Sequence, residues 1–117
     1  HSKQKFIRIK PDKNEPVNLG FYPQSSKNYL EGKVTDISMG GLAARFGGSE
    51  MLQLTDGAEY FGAQIGLLNK KITADLKLVK KGGEIAAFSF SKIRDAYKDA
   101  LAEYIFNKIQ KNLDMIN

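Results

Sequence analysis

The chain has 117 residues, of which 42% are hydrophobic and 26% are charged, proportions that suit one globular domain with a single core and argue against disorder. It contains no cysteine, which excludes disulfides, thiolate metal sites and cysteine nucleophiles and fits a cytoplasmic protein. The net charge of +5 favours anionic partners. No apolar run approaches the roughly 18 residues that a membrane-spanning helix needs.

Residues 1–15 are predicted to form a basic N-terminal arm. Pro11 disfavours a helix here, and Phe6 and Ile9 are apolar anchors that suit an extended chain docked on a sheet. A frayed, solvated terminus is the alternative interpretation. Residues 1–2 resemble the remnant of an expression tag. Before residue 14 the charged residues of the arm are Lys3, Lys5, Arg8, Lys10, Asp12 and Lys13.

Residues 16–93 are predicted to form six antiparallel strands, because apolar and polar residues alternate between turn signals. A hairpin turn is expected at residues 80–83, and a short helical turn near Met51. In the fourth strand the expected core-facing residues are Phe61, Ala63, Ile65 and Leu67. The strands are expected at residues 16–22, 29–38, 41–46, 60–68, 71–79 and 84–91.

From residue 94 the apolar period changes to that of a helix, which is expected to span residues 94–117 with Ser91 as its N-cap. Six strands followed by one helix predict a mainly β domain, a small barrel or strongly curved sheet with the C-terminal helix packed on it. The helix stripe contains Tyr97, Ala100, Leu101, Tyr104, Ile105 and Ile109. The helix carries further apolar residues, which either cover the core of the domain or contact a partner or a second copy of the chain. These residues are Phe106, Leu113, Met115 and Ile116.

The connection between the second and third predicted strands holds a compact polar motif. Asp36, Ser38 and Gly41 have the spacing Asp-x-Ser-x-x-Gly, and an apolar strand follows at once. Aspartate and serine hydrogen-bond nearby backbone in turns, and glycine supplies positive φ or room for close approach. An ordinary hairpin turn is therefore one interpretation of this motif.

The motif and the order of elements together resemble the PilZ family of bacterial cyclic di-GMP receptors, over nearly the whole chain. The resemblance implies a six-stranded antiparallel PilZ-like barrel with a C-terminal helix. It also implies that the nucleotide binds on the outer surface of the barrel, between the turn motif and an N-terminal arm that carries Arg-x-x-x-Arg. Arginine suits this ligand because its planar group binds phosphate and the guanine O6/N7 edge with paired hydrogen bonds.

On this resemblance the turn motif is complete, whereas the arm is degenerate. Arg8 matches the second arginine of the arm, but glutamine stands at position 4, where the first arginine is expected. Lys3 and Lys5 can approach a phosphate as point charges without the planar fork of arginine. The implied ligand-binding residues are Arg8, Asp36, Ser38, Gly41, Lys3 and Lys5.

Three binding functions follow from these observations. The first is a cyclic di-GMP sensor whose affinity is reduced because residue 4 is glutamine. The second is a degenerate PilZ domain that does not bind the nucleotide and acts through protein–protein or interdomain contacts. The third and weakest is single-stranded nucleic-acid binding on a small barrel, for which the stacking residues would be Phe6, Tyr22, Tyr29 and Tyr60.

Catalysis finds no support in the sequence. The only histidine is His1, so no histidine-based general base or metal cluster is expected. Ser38 lies near Asp36 but lacks the third residue that an activated nucleophile needs. Glu50, Asp56 and Glu59 are scattered in a pattern typical of surface acids. We therefore expect no enzyme and no metal site.

Overall fold

The computed structural model of the protein describes residues 6–23 and 27–116, with side chains through residue 113. In this part of the chain the elements are β1 (Asn18–Phe21), β2 (Leu30–Ile37), β3 (Gly41–Arg45), α1 (Gly48–Met51), β4 (Glu59–Leu67), β5 (Lys70–Gly82), β6 (Ile85–Ile93) and α2 (Asp95–Ile116). Along the sheet the strands are ordered β1-β2-β3-β6-β5-β4, neighbouring strands are antiparallel, and β4 pairs with β1 to close a barrel. The expected six-stranded antiparallel barrel with a C-terminal helix is confirmed.

The barrel interior is filled by the inward-facing apolar residues of its strands, with an aromatic cluster around Phe21. The Phe21 ring stacks on Tyr60 with centroids 4.7 Å apart, and it makes edge contacts with Phe46 at 6.0 Å and Phe88 at 5.9 Å. All four residues are buried, and such aromatic pairs add about 0.5–1.5 kcal/mol each beyond their buried area. The core therefore lies inside the barrel and leaves the outer strand faces available for other contacts.

A bulge in β4 changes which residues face this core. The register shifts between Tyr60 and Ala63, and Gly62 within the shift has a φ of 66°, which favours glycine. The backbone N–H of Gly62 donates to Asp75 Oδ1 at 2.9 Å. The expectation that Phe61 faces the core is therefore wrong, because its side chain is 63% exposed and Tyr60 is buried in its place.

A second bulge lengthens and redirects β5. The register shifts between Leu78 and Lys80, and the strand continues to Gly82. The hairpin turn expected at residues 80–83 is therefore misplaced: it occupies residues 83–84, where Gly83 has a φ of 60°. A positive φ at this position suits the two-residue turns that match the twist of a hairpin.

The C-terminal helix packs on the barrel through the stripe expected from the sequence, with Leu101, Tyr104 and Ile105 buried. Ser91 is not its N-cap, because it lies in β6 and the helix begins at Asp95. Phe106 and Leu113 are exposed on the opposite side, whereas the side chains of residues 115 and 116 lie outside the described part. Among the described residues, no helix has the length and hydropathy that crossing a membrane requires.

An ion pair ties the segment before β1 to α2. Asp12 Oδ2 lies 2.5 Å from Lys108 Nζ and 3.4 Å from Lys111 Nζ. Only 5% of the Lys108 side chain is exposed, so Asp12 neutralises an ammonium group that would be costly to bury alone. Burial raises the pKa of Tyr104, and the charges of Asp12 and Glu15 add to this rise. The arm is thus anchored on the C-terminal helix.

This ion pair predicts a specific acid sensitivity. The hydrogen bond from Lys108 lowers the pKa of Asp12 below its ordinary 3.8. Because the folded pKa is depressed, the stabilising contribution is fully present above the ordinary value and is lost as pH falls through the folded value. We expect Asp12→Asn to lower the melting temperature at pH 7 and to flatten the decline of the melting temperature below about pH 4.

Thermal melts at pH 7 and at pH 3 test this expectation. Asp99→Asn, which changes an exposed aspartate of α2, is the matched control and should melt as the wild type does at neutral pH. A decline on acidification that is equally steep in Asp12→Asn and in the wild type would contradict the assignment.

Candidate functional site

The turn between β2 and β3 is organised by Ser38, which is buried. Its Oγ accepts a hydrogen bond from the Gly40 N–H at 3.1 Å and donates to the Gly41 carbonyl at 3.3 Å. The Ser38 backbone N–H donates to the same carbonyl at 2.8 Å. Serine is suited to this position because its hydroxyl can donate and accept at once. Ser38 therefore shapes the turn from within.

Two glycines of the same turn allow close approach of other groups. A Cβ atom placed on Gly41 would meet the Phe88 carbonyl oxygen and would lie 2.9 Å from the Cα of Ser89, so β3 can approach β6 only with glycine here. A Cβ on Gly40 would lie 2.7 Å from the Phe6 ring. The ring of Phe6 therefore covers the turn from the side of the arm.

The arm docks beside this turn as an additional short piece of strand. Ile9 and Ile37 form an antiparallel bridge, with N···O distances of 2.8 and 2.9 Å in the two directions. Ile9 is buried in the core. Because neighbouring residues of an extended chain point to opposite sides, burial of Ile9 directs Arg8 outward, towards Asp36 at the end of β2.

Arg8 and Asp36 form an ion pair at the surface. Arg8 Nη2 lies 2.5 Å and Nε lies 2.9 Å from the same oxygen, Asp36 Oδ1. The side chains remain 55% and 24% exposed, respectively, so a ligand in solution can reach both. A partly exposed pair of this kind contributes about 0–1 kcal/mol to stability. Its exchange for contacts with a ligand is therefore not prohibitive.

These residues border an open groove on the outer face of the barrel, here called the outer groove, with a volume of about 530 Å³. This volume lies in the range of small-molecule sites. Small residues on neighbouring strands form its floor, and the arm forms one wall. The lining residues are Phe6, Arg8, Ser38, Gly40, Gly41, Val79, Ala87, Phe88 and Ser89.

The structure thus brings together four of the six residues expected at the site. Arg8, Ser38 and Gly41 line the outer groove, and Asp36 adjoins it through Arg8. Lys3 and Lys5 lie outside the described residues. Sequence reasoning missed Val79, Ala87 and Ser89, which β5 and β6 contribute from far along the chain. No local motif marks these three residues, and only correct strand order and register place them beside Gly41.

A second cavity, of about 420 Å³, lies between α2 and the turn that joins β4 to β5. It is bordered by Asp99 and Glu103, and by Lys108, which is already paired with Asp12. Of the expected ligand-binding residues that the structure describes, none lies in this cavity, so the outer groove is the candidate site. Within the described residues, no three acidic or histidine side chains converge as a metal ion would require.

No protein-family model and no curated protein matches the chain. Solved structures do match it. The PilZ domain with c-di-GMP of YcgR from Escherichia coli has a TM-score of 0.79 at 15% identity, and the match covers 98% of each chain. The K. pneumonia MrkH–c-di-GMP complex has a TM-score of 0.84 at 14% identity over 98% of this chain and 56% of MrkH. The Bacillus subtilis inhibitor of motility MotI/DgrA has a TM-score of 0.74 at 16% identity over 97% of this chain and 53% of the other.

The chain therefore has the architecture of a small closed β-barrel with a C-terminal helix. More specifically, it has the PilZ fold, as its resemblance to that family implied. The chain spans almost the whole of the isolated YcgR domain and about half the length of the longer MrkH and MotI/DgrA chains. Identities of 14–16% establish the fold alone, so the function must be argued from the outer groove.

Proposed function

We propose that the protein is a PilZ-type regulatory binding module, not an enzyme, that binds cyclic di-GMP in the outer groove. The observation that carries this proposal is the docking of the arm. It places the guanidinium of Arg8 against the carboxylate of Asp36 at the edge of a groove with a floor of small residues. Two of the matched structures, those of the YcgR PilZ domain and of MrkH, contain c-di-GMP.

Each residue has a role that its chemistry suits. The planar group of Arg8 binds a phosphate or the O6/N7 edge of guanine. The carboxylate of Asp36 accepts hydrogen bonds from the ring N–H and the amino group of guanine. Ser38 and Gly41 hold the turn open for the base. Phe6 offers an aromatic face on which a base can stack.

Two features lower the expected affinity. Arg8 and Asp36 satisfy one another in the free protein, so the ligand must exchange this ion pair for its own contacts. Glutamine at position 4 removes one arginine, and the loss of a charge-assisted hydrogen bond worth about 1.5–3 kcal/mol weakens binding roughly ten- to a hundredfold. In this proposal Lys3 and Lys5 supply point charges that recover part of the loss, less so at high salt.

The signal that follows binding is a change in the arm. A nucleotide that binds Arg8 in place of Asp36 alters the position of the arm. The arm in turn contacts a neighbouring domain or a protein partner. Rearrangement of a segment on ligand binding is a common way to transmit such a signal. The proposal includes a cytoplasmic location, which a chain without cysteine fits.

Isothermal titration calorimetry with cyclic di-GMP tests the proposed function, and GMP serves as the control ligand. We expect saturable heat with the cyclic dinucleotide and none with GMP at the same concentrations. Absence of heat up to about 1 mM ligand, where the binding free energy is only about −4 kcal/mol, would overturn the proposal.

A second candidate function is favoured by one observation on α2. Phe106 and Leu113 are both exposed and lie seven residues apart, which places them on the same face of the helix. A PilZ-like domain that does not bind the nucleotide would act through such a face, by contact with a protein or with a neighbouring domain. This function becomes the preferred one if the titration yields no heat.

A further inference from the structure

We propose that Lys77 and Lys80 form a second cationic wall of the outer groove and hold a phosphate of the ligand opposite Arg8. This inference rests on the proposed function and deepens it. Neither lysine belongs to the turn motif or the arm, and the sequence alone places Lys80 in a hairpin turn. The strand register gives both a position beside the groove.

The register of β5 against β6 sets this position. Lys77 pairs with Ser89, and Lys80 pairs with Ala87. Ser89 and Ala87 both line the outer groove. Residues directly opposite each other in an antiparallel ladder point to the same face, with Cβ atoms about 4.5–5.5 Å apart. The stems of the two lysines therefore begin at the edge of the groove.

The bulge in β5 is what brings Lys80 to the outer face. Leu78 is buried, and strict alternation would direct Lys80, two residues later, into the same core. The register shift between Leu78 and Lys80 inserts Val79 as an extra residue. Lys80 then faces outward, and Val79 is exposed and lines the groove. Bulges that redirect a side chain are common beside functional sites.

The side chains of the two lysines are accessible to a ligand. Both are exposed, and Glu59 of β4 lies opposite Lys77 in the ladder, on the same face. β5 lies two strand spacings from β3, roughly 10 Å across the groove floor. A cyclic dinucleotide carries two phosphates, so one can face Arg8 while the other faces the lysines. Lysine binds phosphate as a point charge, which suits a site where residue 4 provides no arginine.

The test compares two double variants that remove the same charge from the same strand. Lys77→Gln with Lys80→Gln removes the proposed wall. Lys70→Gln with Lys71→Gln is the matched control, because these exposed lysines lie at the opposite end of β5, paired with Leu67 and Gly66. Each is titrated with cyclic di-GMP at low and at high salt, and thermal melts check that each variant is folded.

We expect the first double variant to raise the dissociation constant roughly tenfold or more, which corresponds to about 1.4 kcal/mol, and to reduce its salt dependence. The dissociation constant of the control variant should stay within about twofold of the wild-type value, because this variant changes only the distant electrostatic field. If the wild type binds and the first variant keeps its affinity and salt dependence, this inference alone is overturned. If the wild type does not bind, the proposed function is overturned and this inference with it.

Discussion

Replacing Arg8 with alanine is expected to raise the dissociation constant for cyclic di-GMP about a hundredfold or more, because two charge-assisted hydrogen bonds worth about 1.5–3 kcal/mol each are lost. The Nε and Nη2 atoms of Arg8 already act together on Asp36 in the free protein. A phosphate or a guanine edge can take up the same paired donors. Arg8→Lys should recover only part of the affinity, because an ammonium keeps the charge but not the planar fork.

Arg45 provides the matched control for this measurement. It forms an ion pair with Glu84 at 3.1 Å, and its side chain is 58% exposed, close to the 55% of Arg8. Arg45→Ala therefore removes an equally exposed arginine and an equally simple ion pair, and should change the affinity by no more than about twofold. A similar loss of affinity in Arg8→Ala and Arg45→Ala would show that the overall charge of the protein, and not the position of Arg8, governs binding.

The second large effect concerns stability. Gly41→Ala is expected to lower the free energy of unfolding by about 1–3 kcal/mol, the usual cost of forcing an extra carbon into a packed region. The added Cβ would meet the carbonyl oxygen of Phe88 and the Cα of Ser89. Both are backbone atoms of β6, so neither can turn aside as a flexible side chain would. Urea denaturation followed by circular dichroism measures the change.

Gly48→Ala is the control for this substitution, because no atom lies within 4 Å of the Cβ that it would add. Gly48 opens α1, where alanine is at least as favourable as glycine. Its unfolding free energy should therefore equal or exceed that of the wild type. A loss of stability in Gly48→Ala as large as that in Gly41→Ala would contradict the steric explanation.

These geometries divide the turn motif into two kinds of residue. Ser38 and Gly41 are explained by the fold alone, because one holds the turn and the other allows β3 to approach β6. A domain that had lost the ligand would still need them. Arg8 and Asp36 lie at the surface, and their ion pair contributes little to stability. These two residues are therefore the better indicators of nucleotide binding.

Local patterns predicted most of the fold. Strict alternation fixed the core face of β5 at Ile72, Ala74, Leu76 and Leu78, and the change of period after residue 93 marked α2. Two failures lie at the bulges in β4 and β5, where an inserted residue changes which side chains face the core. Alternation carries no signal for such an insertion. Phe61 was misplaced for this reason, whereas Lys80 was expected in a hairpin turn at residues 80–83 although β5 continues to Gly82. A third failure concerns the start of α2, which is Asp95 and leaves Ser91 in β6.

The candidate site was predictable only in part, because its residues come from three separate parts of the chain: the arm, the turn between β2 and β3, and the hairpin of β5 and β6. Asp36, Ser38 and Gly41 are close in sequence and so form a readable motif. The partnership of Arg8 with Asp36 spans 28 positions and depends on the bridge between Ile9 and Ile37. The groove residues of β5 and β6 depend on strand order as well. Contacts of this kind are set by tertiary structure, which a local pattern does not encode.

Because the arm is anchored at two points, a ligand that moves it as proposed would link the outer groove thermodynamically to α2. Arg8 contacts the groove side, and Asp12, four residues later, neutralises the buried ammonium of Lys108. A displacement of the arm that reaches Asp12 would leave that ammonium without its partner, so in the proposed function α2 would bear part of the free energy of ligand binding. Linkage is reciprocal. A protein that docks on α2 and moves Asp12 would change the nucleotide affinity by the same factor by which the nucleotide changes the affinity for that protein.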